Sequence, residues 1–507
     1  MEKLPKLPHK TWVIICLFSG IALISSVSGC EKGASTPINL VMQVIGDLTP
    51  LPAKVEEKFQ KFINAFKEKT AGDRDLEEHI KYFRFAFKRI RTSYVRQVQD
   101  SALIDAAIKG LQEADTKIHS NPRVLIESAI KEMTKSLDPH SSFLNAREYR
   151  ETFIHTKGEF GGLGIEVTMQ DGFVKVVAPI EDTPAERGNM MSGDLIVSVD
   201  GVSIKGLTLA AAVRLMRGPP GEPIELIVRR EGRPDFMIKI IRAIIKVRAV
   251  RWHPIGNIAY IRVSRFSEKV KSGIVRAFAD IRQQIGEEPQ GIVLDLRNNP
   301  GGLLEQSVIL ADAFLDSGEI VSVRGRTSRQ KSSFEAGDGD LALGEKMVVL
   351  VNGGSASASE IVISALKHQK RATIMGGRTF GKGSVQTIIP MPGEGALRLT
   401  TALYYGADGH TIQARGVNPD ILIEPDFSGK KSNPKESDLP GAIPKELSSQ
   451  VVNKAPRVLI EKCPKTSAPR RIGRKEAVDQ ILGCAIEFLK AGSKEEFLAV
   501  YGPKSKI

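Results

Sequence analysis

Cysteine is scarce in this chain, with four in 507 residues. Cys16 and Cys30 lie near the N-terminus, Cys463 and Cys484 near the C-terminus, and no metal-ligand spacing results. Histidine is almost as rare, at eight, and none of His140, His155, His253 and His410 has a supporting acid pattern. Aromatics make up 6% of the chain, and no stretch interleaves them with basic residues. A net charge of +13 therefore points to acidic surfaces or membranes, and no nucleic-acid partner is expected. The basic residues are spread along the chain, with a local excess around Arg470–Lys475. Composition is otherwise that of a soluble globular protein, apart from the first 30 residues. The length implies two to four domains.

Those first residues read as an address. Lys3, Lys6 and Lys10 form a basic start, Trp12 to Val27 is apolar, and small residues lead to Cys30. The run is slightly short for a spanning helix of roughly 20 residues. The ending Val27-Ser28-Gly29-Cys30 resembles a bacterial lipobox, in which the cysteine is lipidated and the segment before it removed. An ordinary signal peptide or an uncleaved anchor is the plainer alternative. In each case the mature chain is exported, to a bacterial cell envelope facing the periplasm, with inner or outer membrane left open. In such an oxidising compartment Cys463 and Cys484 can pair, or stay as free thiols.

After a tether (31–52), helical periodicity begins. Val55, Phe59, Phe62, Ile63 and Phe66 share one face, and Leu76, Ile80, Phe83, Phe87 and Ile90 another. Helices are also predicted over Ala102–Leu111 and Arg123–Leu137, which makes residues 53–157 a helical N-terminal region. From 158 to 244 short β-branched strands alternate with Gly and Asp turns. Pro184 opens a short helix, Leu195–Val199 and Pro223–Arg229 are strands, and Leu207–Arg217 is helical. From 245 to 426 strands and helices alternate as α/β wiring: strands Gly291–Leu296, Met347–Val351 and Ala372–Met375, helices Leu303–Leu315 and Ala358–His368. A Lys/Pro/Ser/Glu-rich linker (427–456) and a C-terminal helical tail (457–507, helix over Lys475–Leu489) follow.

Three Gly-rich turns border the strands of the α/β segment: "LRNNPGGLL", "VNGGSASASE" and "GGRTFGKGSVQ". Gly376–Lys382 matches the start of a phosphate-binding loop, but Gly383 stands where Ser or Thr should hold magnesium, and "SVQTIIP" is strand-like where a helix is required. The serines are of more interest. A helix start supplies free N–H groups, so a serine in the first turn can sit beside an oxyanion site. That favours Ser357 or Ser355 over Ser359, although helix capping is the ordinary use of such serines. A nucleophile needs a base. His368 lies eleven residues after Ser357 on the same helix, roughly 16 Å away. His140, His155, His253 and His410 stay open on sequence alone. A neutral lysine is the other option, and Lys382, between two glycines, has no acid within ten residues on either side.

Taken together, "NGGSASASEI" and "GGRTFGKGSVQ" resemble the C-terminal processing peptidases, also called tail-specific proteases. "SLDPHSSFL" (Ser136–Leu144), "GGLGIEV" (Gly161–Val167), "DLRNNPGGLL" (Asp295–Leu304) and "GVNPDI" (Gly416–Ile421) are similar too, and the resemblance spans Tyr94 to Asp426. It implies an α+β multidomain fold: the helical region, a PDZ-like domain placed before a crotonase- and ClpP-like α/β peptidase core, and a small helical C-terminal tail. It implies Ser357 as nucleophile, Lys382 as general base 25 residues later, and Gln386 as the residue that orients the lysine. The oxyanion site would use the N–H of Ala358 and that of Gly301 or Gly302. Peptide binding would fall to Gly161, Gly162, Leu163, Gly164 and Ile165 of the PDZ-like entry loop, with protein substrates that end in a free apolar C-terminus as partners. No metal or organic cofactor is implied. A homo-oligomer or an adaptor protein is left open.

Two other readings compete. A catalytically silent PDZ scaffold of the envelope would not need Ser357, Lys382 and Gln386 together with both glycine turns. A hydratase or thioesterase of crotonase-like architecture would bind coenzyme A and place an acid where Lys382 stands. Gln112–Ser128, the helices at 54–91 and the tail beyond Pro425 depart from the family pattern.

Overall fold

The computed structural model describes residues 51–70, 73–114, 121–180, 183–246, 248–286, 289–327, 329–424, 435–445, 455–467 and 478–502. The signal segment, Cys30, nearly all of the tether and the basic cluster around Arg470–Lys475 lie outside them.

Four helices come first: Ala53–Lys69, Leu76–Ser93, Asp100–Glu113 and Pro122–Lys135. Their apolar stripes meet one another. Phe59, Phe62, Phe66, Phe83 and Phe87 are fully buried, each aromatic contributing about 1.5–3 kcal/mol of transfer free energy. The fourth helix starts where its sequence dictates. Asn121 accepts the Arg123 N–H (2.8 Å) and Pro122, which has no N–H to leave unpaired, occupies the first turn. The helical region reaches the α/β segment through Tyr82, whose hydroxyl donates to the Glu394 carbonyl (2.7 Å), and through the Val95 N–H on the Thr400 carbonyl (2.9 Å).

The PDZ-like domain is a sheet of Ile165–Gln170, Phe173–Pro179, Leu195–Val199, Pro223–Arg229 and Phe236–Ile241 in that order, with Val202–Ser203 paired to the third. Burial alternates along Phe173–Pro179 and Pro223–Arg229, so Val174, Val176, Ile224, Leu226 and Val228 face one core. Strand Ile165–Gln170 lies at the sheet's edge. A two-stranded stem, Glu159–Gly162 against Ala243–Lys246, closes the domain at both chain ends.

The α/β core is a seven-stranded sheet. Val250–Ile255, Ile258–Val263, Gly291–Asp295, Met347–Val351, Thr373–Gly376, Ile421–Glu424 and Arg457–Leu459 lie side by side in chain order. The first pair is antiparallel and the rest are parallel. Right-handed crossovers that progress in one direction put all their helices on one face. Accordingly Val270–Gln284, Leu304–Asp312 and Ala358–His368 share a core with Ile292, Leu294, Val349 and Val351. The alternate residues Val293, Val348, Leu350 and Met375 would be left bare. They are covered by the C-terminal helix Gln480–Lys490, through Leu482, Cys484, Ala485, Ile486 and Leu489. The tail thus supplies an edge strand and the second face of the sheet, besides a further helix, Lys494–Tyr501. Cys463 and Cys484 are joined by a disulfide.

A second sheet, Ser142–Leu144, Ala396–Gly406, Glu319–Gly325 and Lys331–Glu335, also pairs Ser384–Pro390 with the long strand Ala396–Gly406. Within the linker, residues 435–445 are docked: Glu436 is fully buried.

Candidate active site

Two adjacent parallel strands, Gly291–Asp295 and Met347–Val351, release their chains side by side at their C-terminal ends, the usual place for a ligand site in an α/β sheet. The turns that follow are laced together. Ala356 N–H donates to the Asn299 carbonyl (3.0 Å) and Asn298 N–H to Asn352 Oδ1 (2.9 Å). Ser355 Oγ donates to the Leu296 carbonyl (2.8 Å) and Ser359 Oγ to the Asn299 carbonyl (2.9 Å). Ser355 and Ser359 are fully buried, spent on joining the turns. Ser357 keeps 8% exposure and a backbone at φ 56°, ψ −118°, a conformation a non-glycine residue holds only when its surroundings fix it.

The surroundings are chiefly Glu360. Its fully buried carboxylate accepts the Ser357 N–H (2.8 Å) and the Lys382 N–H (2.9 Å) on Oε2. On Oε1 it accepts the Gly381 N–H (2.7 Å) and the Thr379 hydroxyl (2.5 Å). The backbones of Ser357 and Lys382 therefore share one acceptor atom. Burial pushes the Glu360 carboxyl up to about 7, against those four donors. Glu360 was not among the residues expected from sequence. Its signal was nonetheless present: Ser357-x-x-Glu360 is the spacing of a capping box at a helix start.

Lys382 is half-buried. Burial pulls its ammonium down to about 8, and Arg398 adds to this, while Glu436, Glu360 and Asp138 oppose it. The expectation of no nearby acid, drawn from ten residues on each side, fails in space because all three carboxylates come from distant segments. Lys382 Nζ donates to Gln386 Oε1 and to the Ser384 carbonyl (3.4 Å). Gln386 Nε2 donates to Ser384 Oγ (3.0 Å) and Thr400 Oγ1 (3.3 Å). Thr400 Oγ1 donates to Asp138 Oδ1 (3.1 Å), and the Ser141 hydroxyl to Asp138 Oδ2 (2.6 Å). The "SLDPHSSFL" segment thus stands behind Gln386, a role its sequence did not disclose. Lys382 precedes the strand Ser384–Pro390, and the pairing register shifts between Val385 and Gln386. The four-residue spacing, which on one regular strand would place both side chains on the same face, is thus not what brings Lys382 and Gln386 together.

Of the two candidate oxyanion glycines, Gly301 spends its N–H on Asn299 Oδ1 (2.9 Å). Among the described residues, neither Gly302 N–H nor Ala358 N–H has a backbone acceptor outside regular elements. Gly301 packs on the Ser357 turn so closely that a Cβ there would lie 2.9 Å from Ser357 Cβ and 3.0 Å from Ala358 N. A Cβ on Gly302 would meet the Phe266 carbonyl oxygen at 2.0 Å. Only glycine fits both places, which accounts for the pair.

Two of the histidines are accounted for among the described residues. His140 Nε2 contacts Glu436 (2.8 Å), and His368 ends the helix that Ala358 begins. The His155 side chain lies outside the described residues. In the PDZ-like domain, Gly161 and Gly162 pair with Ile244 and Ala243 in the stem. Leu163, expected at a ligand pocket, is 2% exposed and part of the domain core. Gly164 accepts the Ile180 N–H and the Thr183 hydroxyl on its carbonyl, and half-buried Ile165 opens the edge strand.

The model of Peptidase family S41 matches residues 257–423, and that of a PDZ domain residues 175–230. The carboxy-terminal-processing protease of Bartonella bacilliformis is 47% identical over 357 residues, 70% of this chain and 77% of the relative. The carboxy-terminal processing protease CtpA of Bacillus subtilis is 31% identical over 366 residues, 71% of this chain and 72% of the relative. Among solved structures, the photosystem II D1 C-terminal processing protease is similar over 68% of this chain and 93% of its own, at 28% identity and a TM-score of 0.43. Ser357, Lys382, Gln386 and both candidate oxyanion glycines fall inside the matched peptidase region, and these two relatives are matched over more than two-thirds of their length. The chain belongs to peptidase family S41 and carries a PDZ domain ahead of its peptidase core.

Proposed function

We propose that this protein is an exported, lipid-anchored serine endopeptidase that takes hold of protein C-terminal tails and cleaves peptide bonds with Ser357 and Lys382. The observation that carries the chemistry is the Glu360 carboxylate, which holds the backbones of both residues on one oxygen. Neutral Lys382 removes the Ser357 Oγ proton as Oγ attacks the substrate carbonyl carbon. The N–H groups of Ala358 and Gly302 receive the oxyanion. The ammonium of Lys382 then protonates the leaving amine, and water, deprotonated by the same lysine, releases the acyl group. Without substrate, Lys382 Nζ rests on Gln386 and the Ser384 carbonyl. It turns to Ser357 when substrate fills the site, as catalytic contacts commonly tighten only in the complex.

Tail recognition belongs to the PDZ domain. Among the described residues, strand Ile165–Gln170 pairs with Phe173–Pro179 alone, and an extended peptide can add to its other edge as a further strand. With Gly161 and Gly162 engaged in the stem, capture of the terminal carboxylate falls to the N–H groups around Gly164 and Ile165. Cys30 supplies the anchor, through the lipobox-like sequence before it.

The test compares an unfolded protein ending in a free apolar residue with the same protein carrying a C-terminal amide. Loss of a charge-assisted interaction lowers kcat/KM for the amide by about tenfold or more. Equal values for the two substrates would overturn tail recognition. For the anchor, a fatty-acid label is expected on the parent and absent from Cys30→Ser; an unlabelled parent would remove the lipoprotein assignment.

A further inference from the structure

The turn that carries Gly302 is anchored at three points, and one of them belongs to the C-terminal tail. The turn is a demanding one: Asn298, Gly301 and Gly302 all have positive φ (55°, 98° and 146°), so it keeps its shape only if its ends are fixed. At its far end, Phe266 N–H donates to the Gly301 carbonyl (3.0 Å) and Leu303 N–H to the Phe266 carbonyl (2.8 Å). In the middle, Asn299 bonds the Val263 carbonyl and the Gly301 N–H (2.9 Å each). The near end is Arg297.

Arg297 is stretched between two carboxylates. Toward the core, fully buried Asp295 accepts its N–H (2.9 Å), Nε (3.0 Å) and Nη2 (2.7 Å), together with the Tyr260 hydroxyl (2.6 Å) and Arg262 Nη1 (2.9 Å). On the other side, Asp479 accepts Nη1 (2.9 Å) and Nη2 (2.6 Å). Arg262 Nη2 also reaches the Arg297 carbonyl (3.2 Å). Asp479 is itself fixed. It caps the helix Gln480–Lys490 by accepting the Leu482 N–H (3.0 Å), and its N–H donates to the Thr466 carbonyl (2.7 Å). That helix carries Cys484, disulfide-bonded to Cys463. Charged pairs with so little solvent seldom add net stability, whereas a bidentate guanidinium fixes orientation strictly. The arrangement is suited to positioning.

We propose that Asp479 is a positioning residue for peptide hydrolysis: held in the disulfide-stapled tail, it orients Arg297 and so keeps the Gly302 N–H aimed at the oxyanion. The inference rests on the assignment of Ser357 and Gly302 given above. It also gives the tail a role in the reaction besides covering the sheet.

Asp479→Asn tests it. Asparagine still caps a helix, so the helix and its packing are kept while the negative charge that faces Arg297 is lost. Removing an oxyanion donor outright costs about 10²–10³ in kcat; loosening one is expected to cost about tenfold, with KM little changed. Affinity for a peptide aldehyde, whose hemiacetal oxygen occupies the oxyanion site, should weaken in parallel, and Asp479→Glu should restore part of both. A purely structural role would lower the melting temperature and leave turnover per folded molecule and aldehyde affinity intact. Turnover within twofold of the parent, or lowered turnover with unchanged aldehyde affinity, would overturn the proposal. Should Asp479→Asn fail to fold, the Cys463→Ser/Cys484→Ser variant decides by the same two readouts. If Ser357→Ala still cleaves, the underlying assignment fails; if only Ser357→Ala is inactive and Asp479→Asn is unchanged, only this inference does.

Discussion

Lys382→Arg is expected to fold as the parent does and to lose peptide hydrolysis, by a factor on the order of 10⁴ or more. The reason is protonation. The reaction needs a base with a free electron pair, and burial brings the Lys382 ammonium down to about 8, so a large share is neutral at mildly alkaline pH. An arginine in this position keeps its charge at every accessible pH. It would also bring a second guanidinium into a site that already feels Arg398. Lys382→Ala should lose as much, since it offers no base. Substrate binding through the PDZ edge strand, measured with a labelled C-terminal peptide, should remain as in the parent. Hydrolysis by Lys382→Arg within tenfold of the parent would mean that another group takes the proton.

Glu360→Gln is expected to lower kcat by about 10²-fold and to destabilise the fold measurably, although the two side chains have the same shape. Four donors converge on the carboxylate: two N–H groups on Oε2, and one N–H with one hydroxyl on Oε1. A glutamine amide presents its own donor in place of one oxygen. Turned one way, it faces the N–H groups of Ser357 and Lys382. Turned the other way, it faces Gly381, and the Thr379 hydroxyl must reverse its bond. Each buried group left unsatisfied costs about 1–3 kcal/mol. The cheaper arrangement still releases part of the clamp that holds nucleophile and base together. Thermal unfolding gives the stability loss, and steady-state kinetics per active site gives the catalytic loss. An unchanged kcat in a folded variant would show that the carboxylate does not hold the pair.

The sequence disclosed those parts of the site that depend on local pattern. The strands Met347–Val351 and Ser384–Pro390 and the helix Ala358–His368 have their expected bounds, because apolar runs broken by Gly and Ser leave little freedom. The proposal of Ser357 among three serines came from resemblance, and sequence did not disclose that Ser355 and Ser359 are spent on the carbonyls of Leu296 and Asn299. Gly301 and Gly302 could not be separated in sequence, since what separates them is a side-chain acceptor, Asn299 Oδ1.

What stayed hidden is long-range. Asp138 reaches Thr400 across 262 positions, and His140 reaches Glu436 across 296; no periodicity encodes such pairs. The strand Arg457–Leu459 has three residues, too few for an alternation to be read. The need for a covered second sheet face, however, follows from crossover handedness once the strand order is known. Absence of acids around Lys382 in sequence proved a poor guide to its surroundings, because a turn is enclosed by whatever the fold brings to it.

The rate of Ser357 acylation as a function of pH tests the central claim most directly. It can be read from intact mass after rapid mixing with an activated peptide ester, from about pH 5 to about pH 10, a range that brackets a depressed lysine pKa. A base acts only when neutral, and the neutral fraction of Lys382 grows as pH rises. The acyl adduct should therefore form slowly in acid, faster through about 8, and at a constant rate above it, with no adduct in Ser357→Ala. A rate that stays flat into acid, or the same adduct in Ser357→Ala, would contradict a serine nucleophile activated by a neutral lysine.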